Sequence, residues 1–254
     1  MKKNIIILTP GLSGSSLLTS LLGKAGYWFG EETKKISYDT FENDTLVDIN
    51  INILERLGFS QKNIINQSVK FLQTGMQKQA GTDDNIQCYN LIKDCGINEP
   101  WIWKDPRLCY TIHFWSELMD IKNIKFILMT RDLKQVWTGT ILRADYIIPY
   151  RKLQVDQEHP TNSAKEFLSC NSLDHLHVTF EDILLDPEKT LQNLNQFLST
   201  ELTHNDLLNV YRGKLYSKRW NARDFIKACF KYSIHRIYQY LFLDRKNPSI
   251  KINY

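Results

Sequence analysis

The sequence of 254 residues lacks long hydrophobic runs, internal repeats and tracts of low complexity. No stretch approaches the roughly 18 consecutive apolar residues that a membrane-spanning helix needs. A short apolar run, Ile5–Leu8, follows two lysines as in a signal peptide, but it stops at Thr9-Pro10-Gly11. We therefore expect a short buried strand at this position rather than an export signal or a membrane anchor.

A strong charge of one sign and paired cysteines are also lacking. Lys and Arg number 32 against 28 Asp and Glu, and this small excess predicts no nucleic-acid partner. The five cysteines are widely spaced without a Cys-x-x-Cys pair, which argues against a zinc knuckle and a disulfide framework. They are typical of reduced thiols, so we expect a cytoplasmic protein. His175 and His177 share one strand face without a third ligand nearby, and no metal site is predicted.

What the sequence does contain is an alternation of apolar strands with helices. Hydrophobic residues make up 43% of the chain, which excludes whole-chain disorder. Strands are predicted at residues 5–8, 101–103, 124–129 and 176–180. Helices are predicted after the loop at 10–16 and at 41–57, 61–79, 108–120, 133–144 and 187–198. Residues 145–162 hold two prolines and are predicted to be irregular. The alternation predicts an α/β fold of three layers with a mostly parallel central sheet.

No linker divides the chain, so we expect a single α/β domain over residues 1–225. The tail at 226–254 is aromatic and basic. A helix there would be amphipathic, as in helices that lie on a membrane surface, but packing on the core or on a second subunit is the simpler explanation. The sequence leaves the oligomeric state open.

The loop after the first predicted strand combines two glycines with serines: Gly11, Leu12, Ser13, Gly14, Ser15 and Ser16. Glycines permit a tight turn, and the helix that starts near Ser15 directs its positive dipole end at the loop. Ligands of open α/β sheets bind beyond the carboxyl ends of the strands. The loop therefore predicts a phosphate site, although an ordinary helix cap gives the same pattern. It is not a Walker A loop, because the Gly-Lys pair is missing.

Four segments occur in the order seen in sulfotransferases: Ser13-Gly14-Ser15-Ser16, Gly30-Glu31-Glu32-Thr33, Lys104-Asp105-Pro106-Arg107, and Arg131 directly after a strand. Residues 179–187 also resemble the late strand-to-helix segment of that family. From about residue 4 to residue 200, the chain is thus similar to sulfotransferases that use 3′-phosphoadenosine 5′-phosphosulfate (PAPS). The resemblance implies a P-loop-like fold and transfer of a sulfuryl group to a hydroxyl without a metal, leaving adenosine 3′,5′-bisphosphate.

The resemblance also implies how the donor is held. The loop from Gly11 to Ser16 would bind the 5′-phosphosulfate, and Arg131 would bind the 3′-phosphate. The family usually adds a serine eight residues after this arginine, where the present chain has Gly139 with Thr138 and Thr140 beside it. We therefore expect Thr138, Thr140 or the backbone of Gly139 to take part.

Two catalytic residues follow from the same resemblance. The segment that contains Glu32 resembles one in protein-tyrosine sulfotransferases whose second glutamate is the general base, so Glu32 is the candidate base. Asp39 and Glu42 are the alternatives. Lys104 would contact the transferring group, and Arg107 is a candidate to assist it.

Three positions depart from the family pattern, namely Leu12 in place of Lys or Arg, Gly139 in place of serine, and Phe180 in place of tyrosine. These departures favour a second function, a nucleotide-binding protein that has lost catalysis. A P-loop-type kinase that uses ATP and magnesium is a further alternative, and the missing Gly-Lys pair argues against it. The acceptor is expected to be a glycan or small metabolite rather than a protein tyrosine. Residues 38–98 and 144–162 are expected to line the acceptor side of the site.

The candidates for closing over the nucleotide are the basic residues Arg212, Lys214, Lys218 and Arg219.

Overall fold

The computed structural model describes residues 2–36, 38–59, 64, 69–80, 85–143, 147–211, 213 and 220–240. The strands in these ranges are β1 (Ile5–Leu8), β2 (Thr33–Lys35), β3 (Asp39–Asn43), β4 (Ile102–Lys104), β5 (Lys125–Thr130) and β6 (His175–Thr179). The helices are α1 (Ser15–Lys24), α2 (Asp44–Arg56), α3 (Val69–Ala80), α4 (Ile86–Ile97), α5 (Leu108–Trp115), α6 (Leu133–Arg143), α7 (Tyr150–Cys170), α8 (Phe180–Leu185), α9 (Pro187–Leu198), α10 (His204–Val210) and α11 (Ala222–Tyr238).

A parallel sheet forms the centre of the described structure, with the strand order β4-β1-β5-β6. Ile5 is the register partner of both Ile102 and Lys125, and Thr130 is the partner of Thr179. Because all four strands run in the same direction, their carboxyl ends meet at one edge of the sheet. The prediction of an α/β fold with a mostly parallel central sheet is confirmed.

Both faces of this sheet are buried because its inner strands are continuous apolar runs. Ile6 and Leu8 of β1 pack on one side, against helices α2 to α5 and α7. Ile5 and Ile7 point to the opposite side and pack against α1, α8, α9 and α10. The alternation of side chains along β1 thus divides the core into two clusters, one on each face, and gives the three predicted layers.

A third apolar cluster joins α6, the beginning of α7 and α11. Its centre is Trp137, whose ring lies 5.8 Å from Tyr150, 5.6 Å from Phe225 and 5.8 Å from Tyr232, measured between ring centroids. Ala228 of α11 is fully buried in this cluster. These contacts fix α11 on α6, while residues 241–254 lie outside the described residues. None of the helices in the described ranges is long and apolar enough to cross a lipid bilayer.

The prediction of irregular structure at 145–162 is wrong, because α7 begins at Tyr150 and continues through Pro160. Pro149 is the N-cap of this helix, a place where a proline removes no helical hydrogen bond. Pro160 lacks the N–H of an interior position, but Leu153 and Phe167 on the same helix are buried in the core. Tertiary burial therefore outweighs the local signal of the prolines.

The predicted helix at 41–57 begins later than expected. Residues 39–43 form β3, which pairs antiparallel with β2 in a separate hairpin. Helix α2 then starts at Asp44, where the side chain of Asn43 accepts a hydrogen bond from the Leu46 N–H. Helix α4 was not predicted from the sequence. The predicted helix at 61–79 corresponds to α3, and residues 60–63 and 65–68 lie outside the described residues.

Candidate functional site

A cavity of about 600 Å³ lies at the edge of the sheet where the strands end. Its walls come from the loop after β1, the end of β4, the residue after β5, one face of α6 and the start of α8. The residues on these walls that matter below are Gly11, Leu12, Gly14, Ser15, Ser16, Glu42, Lys104, Arg131, Gly139, Thr140, Arg143 and Phe180. Residues from distant parts of the sequence meet here because parallel strands bring their carboxyl ends together.

The loop after β1 winds around the cavity through three residues with left-handed backbone. Gly11 and Gly14 both have φ of +79°, and Leu12 between them has φ of 52°. A leucine in this region costs about 1–2 kcal/mol, and its side chain is 58% exposed. Ser15 and Ser16 line the cavity, whereas Ser13 is buried and its hydroxyl hydrogen-bonds the hydroxyl of Thr9. The loop therefore presents its backbone and Ser15 to the cavity, together with Ser16, whose hydroxyl donates to the Thr40 carbonyl at 3.1 Å, and the Ser13 side chain stabilises the loop from its buried side.

Gly14 has a second requirement besides its φ angle. A Cβ atom at this position would lie 2.2 Å from Cδ2 of Phe180, so only glycine leaves room for the ring. Phe180 also contacts Arg131, whose guanidinium carbon lies 4.3 Å from the ring centroid. Phe180, one of the departures from the family pattern, thus packs between the first loop and Arg131.

Arg131 has only 11% of its side chain exposed, although it lines the cavity. Its Nε lies 3.7 Å from Oε1 of Glu181, a fully buried carboxyl that also accepts a hydrogen bond from the Asp132 N–H. Burial raises the pKa of Glu181. Hydrogen bonds from the backbone of Glu181 and of Asp132, together with the charge of Arg131, oppose that shift. These contacts hold the guanidinium at the cavity wall.

Lys104 is the cation at the end of β4. It is 2% exposed, and its Nζ donates to Oε1 of Glu42 at 2.7 Å and to Oγ of Ser16 at 3.5 Å. Burial lowers the pKa of Lys104, and the neighbouring Glu42 carboxylate opposes this shift. Lys104 and Glu42 therefore form a mostly buried ion pair on the wall of the cavity.

The three carboxylates considered as bases occupy different places. Glu32 is exposed, and the residues that line the cavity do not include it. Asp39 accepts hydrogen bonds from the Thr33 hydroxyl and the Phe41 N–H, which stabilise the hairpin of β2 and β3. Glu42, at the end of that hairpin, is the candidate carboxylate that lines the cavity. The catalytic role of Glu32 stays a prediction that its placement does not support.

Helix α6 brings Gly139 and Thr140 to the cavity, whereas Thr138 is not among the residues that line it. The Thr140 hydroxyl donates to the carbonyl of Val136, so it is engaged within the helix. An ideal Cβ on Gly139 would lie 2.8 Å from an Nη atom of Arg143. The guanidinium of Arg143 thus lies over Gly139, in the space that a serine side chain would enter.

Sequence reasoning missed Arg143. The sequence feature that indicates it is the spacing: Arg143 follows Gly139 by four residues on the same helix, which places both residues on one face. Tyr38, Thr40 and Tyr211 line the cavity as well and were not predicted either. The basic residues Arg212, Lys214, Lys218 and Arg219 lie outside the described residues.

A buried polar network supports the turn that follows Lys104. The Asn50 amide donates to Oδ2 of Asp105 at 2.8 Å, and its oxygen accepts from Thr111 and from Trp115. The other oxygen of Asp105 accepts from Arg107 at 2.8 Å. Since Asp105 is fully buried, this network fixes the chain next to Lys104.

Comparisons with known proteins give a limited result. No family model matches the chain, and no curated protein matches it. Among solved structures, the sulfotransferase domain from the Synechococcus PCC 7002 olefin synthase is similar, with a TM-score of 0.45 and 18% sequence identity. The similarity covers 89% of this chain and 84% of that chain. Values this low do not define a family, so the architecture described above rests on the strand order and packing.

Among the described residues, no group of three or more His, Cys, Asp or Glu side chains is placed to hold a metal ion.

Proposed function

We propose that the chain is a PAPS-dependent sulfotransferase that transfers a sulfuryl group to a hydroxyl of a small molecule. The observation that carries this proposal is the meeting of Lys104, Arg131 and the Gly11–Ser16 loop on the walls of one cavity. The motifs that resemble the family lie far apart in the sequence, and three of the four contribute to this cavity. The Glu32 segment is the exception.

The first loop fits the phosphosulfate end of the donor. Left-handed glycines and a helix N-terminus form an anion cradle, and a side chain at Gly14 would fill the space that the Phe180 ring occupies. Because Leu12 adds no positive charge, the charge that binds the phosphosulfate must come from another cation nearby. Lys104, which is hydrogen-bonded to Ser16 of the loop, supplies that charge.

Two arginines of the cavity fit the 3′-phosphate. Arg131 is held by Glu181 and the ring of Phe180, and Arg143 lies over Gly139. A guanidinium donates two parallel hydrogen bonds to a phosphate, which a serine hydroxyl cannot do. Arg143 thus substitutes for the serine that the family usually carries at the position of Gly139.

The ion pair of Lys104 and Glu42 provides the chemistry. The acceptor oxygen forms a bond to sulfur as the bond from sulfur to the bridging phosphate oxygen breaks, and that electron pair stays on the nucleotide. Lys104 donates to the oxygens that gain negative charge, and Glu42 accepts the proton of the acceptor hydroxyl. The products are a sulfate ester and adenosine 3′,5′-bisphosphate.

Nucleotide binding tests the donor site first. A thermal-shift panel compares adenosine 3′,5′-bisphosphate, AMP, and ATP with magnesium. A ligand at a hundred times its dissociation constant stabilises by about 2.7 kcal/mol, which is a shift of a few degrees for this chain length. We expect the bisphosphate to stabilise the protein selectively. Arg131→Ala and Arg143→Ala should each weaken that binding at least about tenfold, whereas Arg151→Ala, an exposed arginine outside the cavity, should not.

A transfer assay with PAPS and a panel of hydroxyl compounds then separates the remaining functions. Binding of the bisphosphate with transfer supports the proposal. Binding without transfer to any acceptor would indicate a nucleotide-binding protein that has lost catalysis. Stabilisation by ATP and magnesium but not by the bisphosphate would replace the proposal with the kinase alternative.

A further inference from the structure

A second cavity, of about 710 Å³, adjoins the first one. The two cavities share Gly11, Leu12 and Pro106 as a common wall. The rest of the second cavity comes mainly from α7 and the residues directly before it. Its apolar lining includes Leu54, Ile64, Ile147, Ile148, Leu153 and Pro160. The cavity is large enough for a small-molecule ligand, and most of its surface is apolar.

Three of the described polar side chains that line this cavity already have partners within the protein. Arg107 is paired with Asp105 at 2.8 Å. The Tyr110 hydroxyl and Nδ1 of His159 are hydrogen-bonded at 2.9 Å, and the amide of Gln157 donates to the carbonyl of Pro10 at 3.5 Å. A glycan, by contrast, requires many donors and acceptors that are available to its hydroxyl groups.

The charges at the rim are balanced as well. Lys152 and Asp156 lie one turn apart on α7, and both line the cavity. Burial raises the pKa of Asp156, and the neighbouring Lys152 opposes that shift. Among the described residues that line this cavity, Arg107 is already paired to Asp105, and Lys152 is balanced by Asp156, so these side chains carry no excess charge that would select an ionic ligand.

Leu12 is the residue that connects the two cavities. Its side chain is more than half exposed, it lines both spaces, and its backbone is held in the left-handed region. A large apolar side chain in a strained and exposed position gains from contact with an apolar ligand. The usual cation of the family at this position would instead favour a polar or anionic neighbour.

We infer that the second cavity binds the body of the acceptor and that this acceptor is a neutral apolar alcohol, aliphatic or aromatic, rather than a glycan. This inference rests on the proposed function. The apolar body packs on Leu12, Ile147 and Ile148, and the hydroxyl passes the shared wall toward Lys104 and Glu42 in the first cavity. Leu12 is therefore a determinant of acceptor specificity.

A displacement assay with the neutral fluorophore N-phenyl-1-naphthylamine measures binding without requiring turnover. The protein is saturated with adenosine 3′,5′-bisphosphate, and the fluorophore is titrated with 1-octanol, 2-naphthol or methyl glucoside. We expect both apolar alcohols to displace it and methyl glucoside not to. Leu12→Ser should weaken alcohol binding about tenfold, because it removes one apolar contact. Ile147→Trp should do the same by filling the cavity.

Matched variants control for effects on folding. Leu208→Ser changes another exposed leucine, and Val155→Trp adds a tryptophan at an exposed position on α7, both outside the two cavities. Each should leave alcohol binding unchanged. Displacement by methyl glucoside at concentrations similar to octanol, or equal effects of the control and cavity variants, would overturn the inference.

The two proposals fail in distinguishable ways. If the bisphosphate binds and depends on Arg131 while the alcohols do not bind, the apolar acceptor is wrong and the sulfotransferase proposal stands. If the alcohols bind through Leu12 but the bisphosphate does not bind, the proposed function fails, and the acceptor role of this cavity fails with it.

Discussion

The ring of Phe180 lies directly against Gly14 and also under the guanidinium of Arg131. A residue at the start of α8 thereby joins the loop after β1 to the residue after β5. The same ring contacts both elements of the proposed donor site, so we expect a change at any one of the three residues to alter the positions of the other two.

Replacing Gly14 with alanine tests this contact. Gly26 is the matched control, because it has a similarly positive φ of +86° but nothing within 4 Å of an added Cβ. Gly26→Ala should therefore cost only the conformational penalty, about 1 kcal/mol in the free energy of unfolding. Gly14→Ala adds a clash with Phe180 and should cost about 2–4 kcal/mol. Urea denaturation measures both, and equal losses would show that the ring does not constrain the loop.

Exchanging glutamates for glutamines one at a time identifies the base. Glu42 lines the cavity beside Lys104, whereas Glu32 is exposed outside it. Glu42→Gln should lower sulfuryl transfer by about a hundredfold or more, as expected for loss of a general base. Glu32→Gln should leave turnover within about twofold, since it makes no contact with the site. The assay is steady-state turnover, with bisphosphate binding as the check that both variants fold. The opposite ranking would restore Glu32 as the base.

Asn50 is expected to position Lys104 from a distance. Asn50→Leu removes three side-chain hydrogen bonds and leaves a buried oxygen of Asp105 without its donor. We expect a loss of about 3 kcal/mol or more in the free energy of unfolding. The matched change Asn52→Leu, at an exposed position of the same helix, should stay within about 0.5 kcal/mol. Chemical denaturation compares the two, and similar losses would contradict a structural role of the network.

His113 makes stability depend on pH. It is buried against Phe167, and its Nε2 has no hydrogen-bond partner among the described residues. Burial lowers the pKa of His113 to about 4, so the folded protein keeps the ring neutral while the unfolded chain binds a proton below about pH 6.5. This contribution to stability is present above pH 6.5 and is lost as the pH falls toward 4. Between pH 7 and pH 5 the loss is about 2 kcal/mol.

Urea unfolding of His113→Phe at both pH values isolates that contribution. The variant should lose about 2 kcal/mol less than the wild type between pH 7 and pH 5. His175→Phe, which changes an exposed histidine, should keep the wild-type dependence. Because the comparison uses the slope with pH, a change in absolute stability caused by the larger ring does not affect it. An unaltered slope in His113→Phe would show that another group titrates.

The sequence indicated the positions of Lys104 and Arg131 because Lys104 ends a buried strand and Arg131 directly follows one. In a parallel sheet, the residue after a strand lies at the edge where the other strands also end, so order along the chain becomes proximity in space. The first loop was found for the same reason. Recognition of the strands, which continuous apolar runs make easy, indicated where these residues lie, and the resemblance to sulfotransferases implied their roles.

The placement of Glu42 and Arg143 at the cavity could not be predicted from the local sequence around them. The hairpin of β2 and β3 consists of short polar strands without an apolar alternation, so nothing in the pattern indicates which of its carboxylates faces the cavity. Arg143 lies one helical turn beyond Gly139, and its direction depends on where α6 begins. The prediction of irregular structure around Pro160 is wrong for a related reason, because the burial of α7 depends on contacts with residues far away in the sequence.

The wall of Gly11, Leu12 and Pro106 also has a consequence for the order in which ligands interact. Since both cavities border on it, a ligand that shifts the wall in one cavity changes the shape of the other. Thermodynamic linkage then requires the effect to be mutual: the factor by which a nucleotide alters the affinity for an alcohol equals the factor by which the alcohol alters the affinity for the nucleotide. We therefore expect part of any cooperativity between the two ligands to pass through these three residues, in addition to direct contact between the ligands in the first cavity.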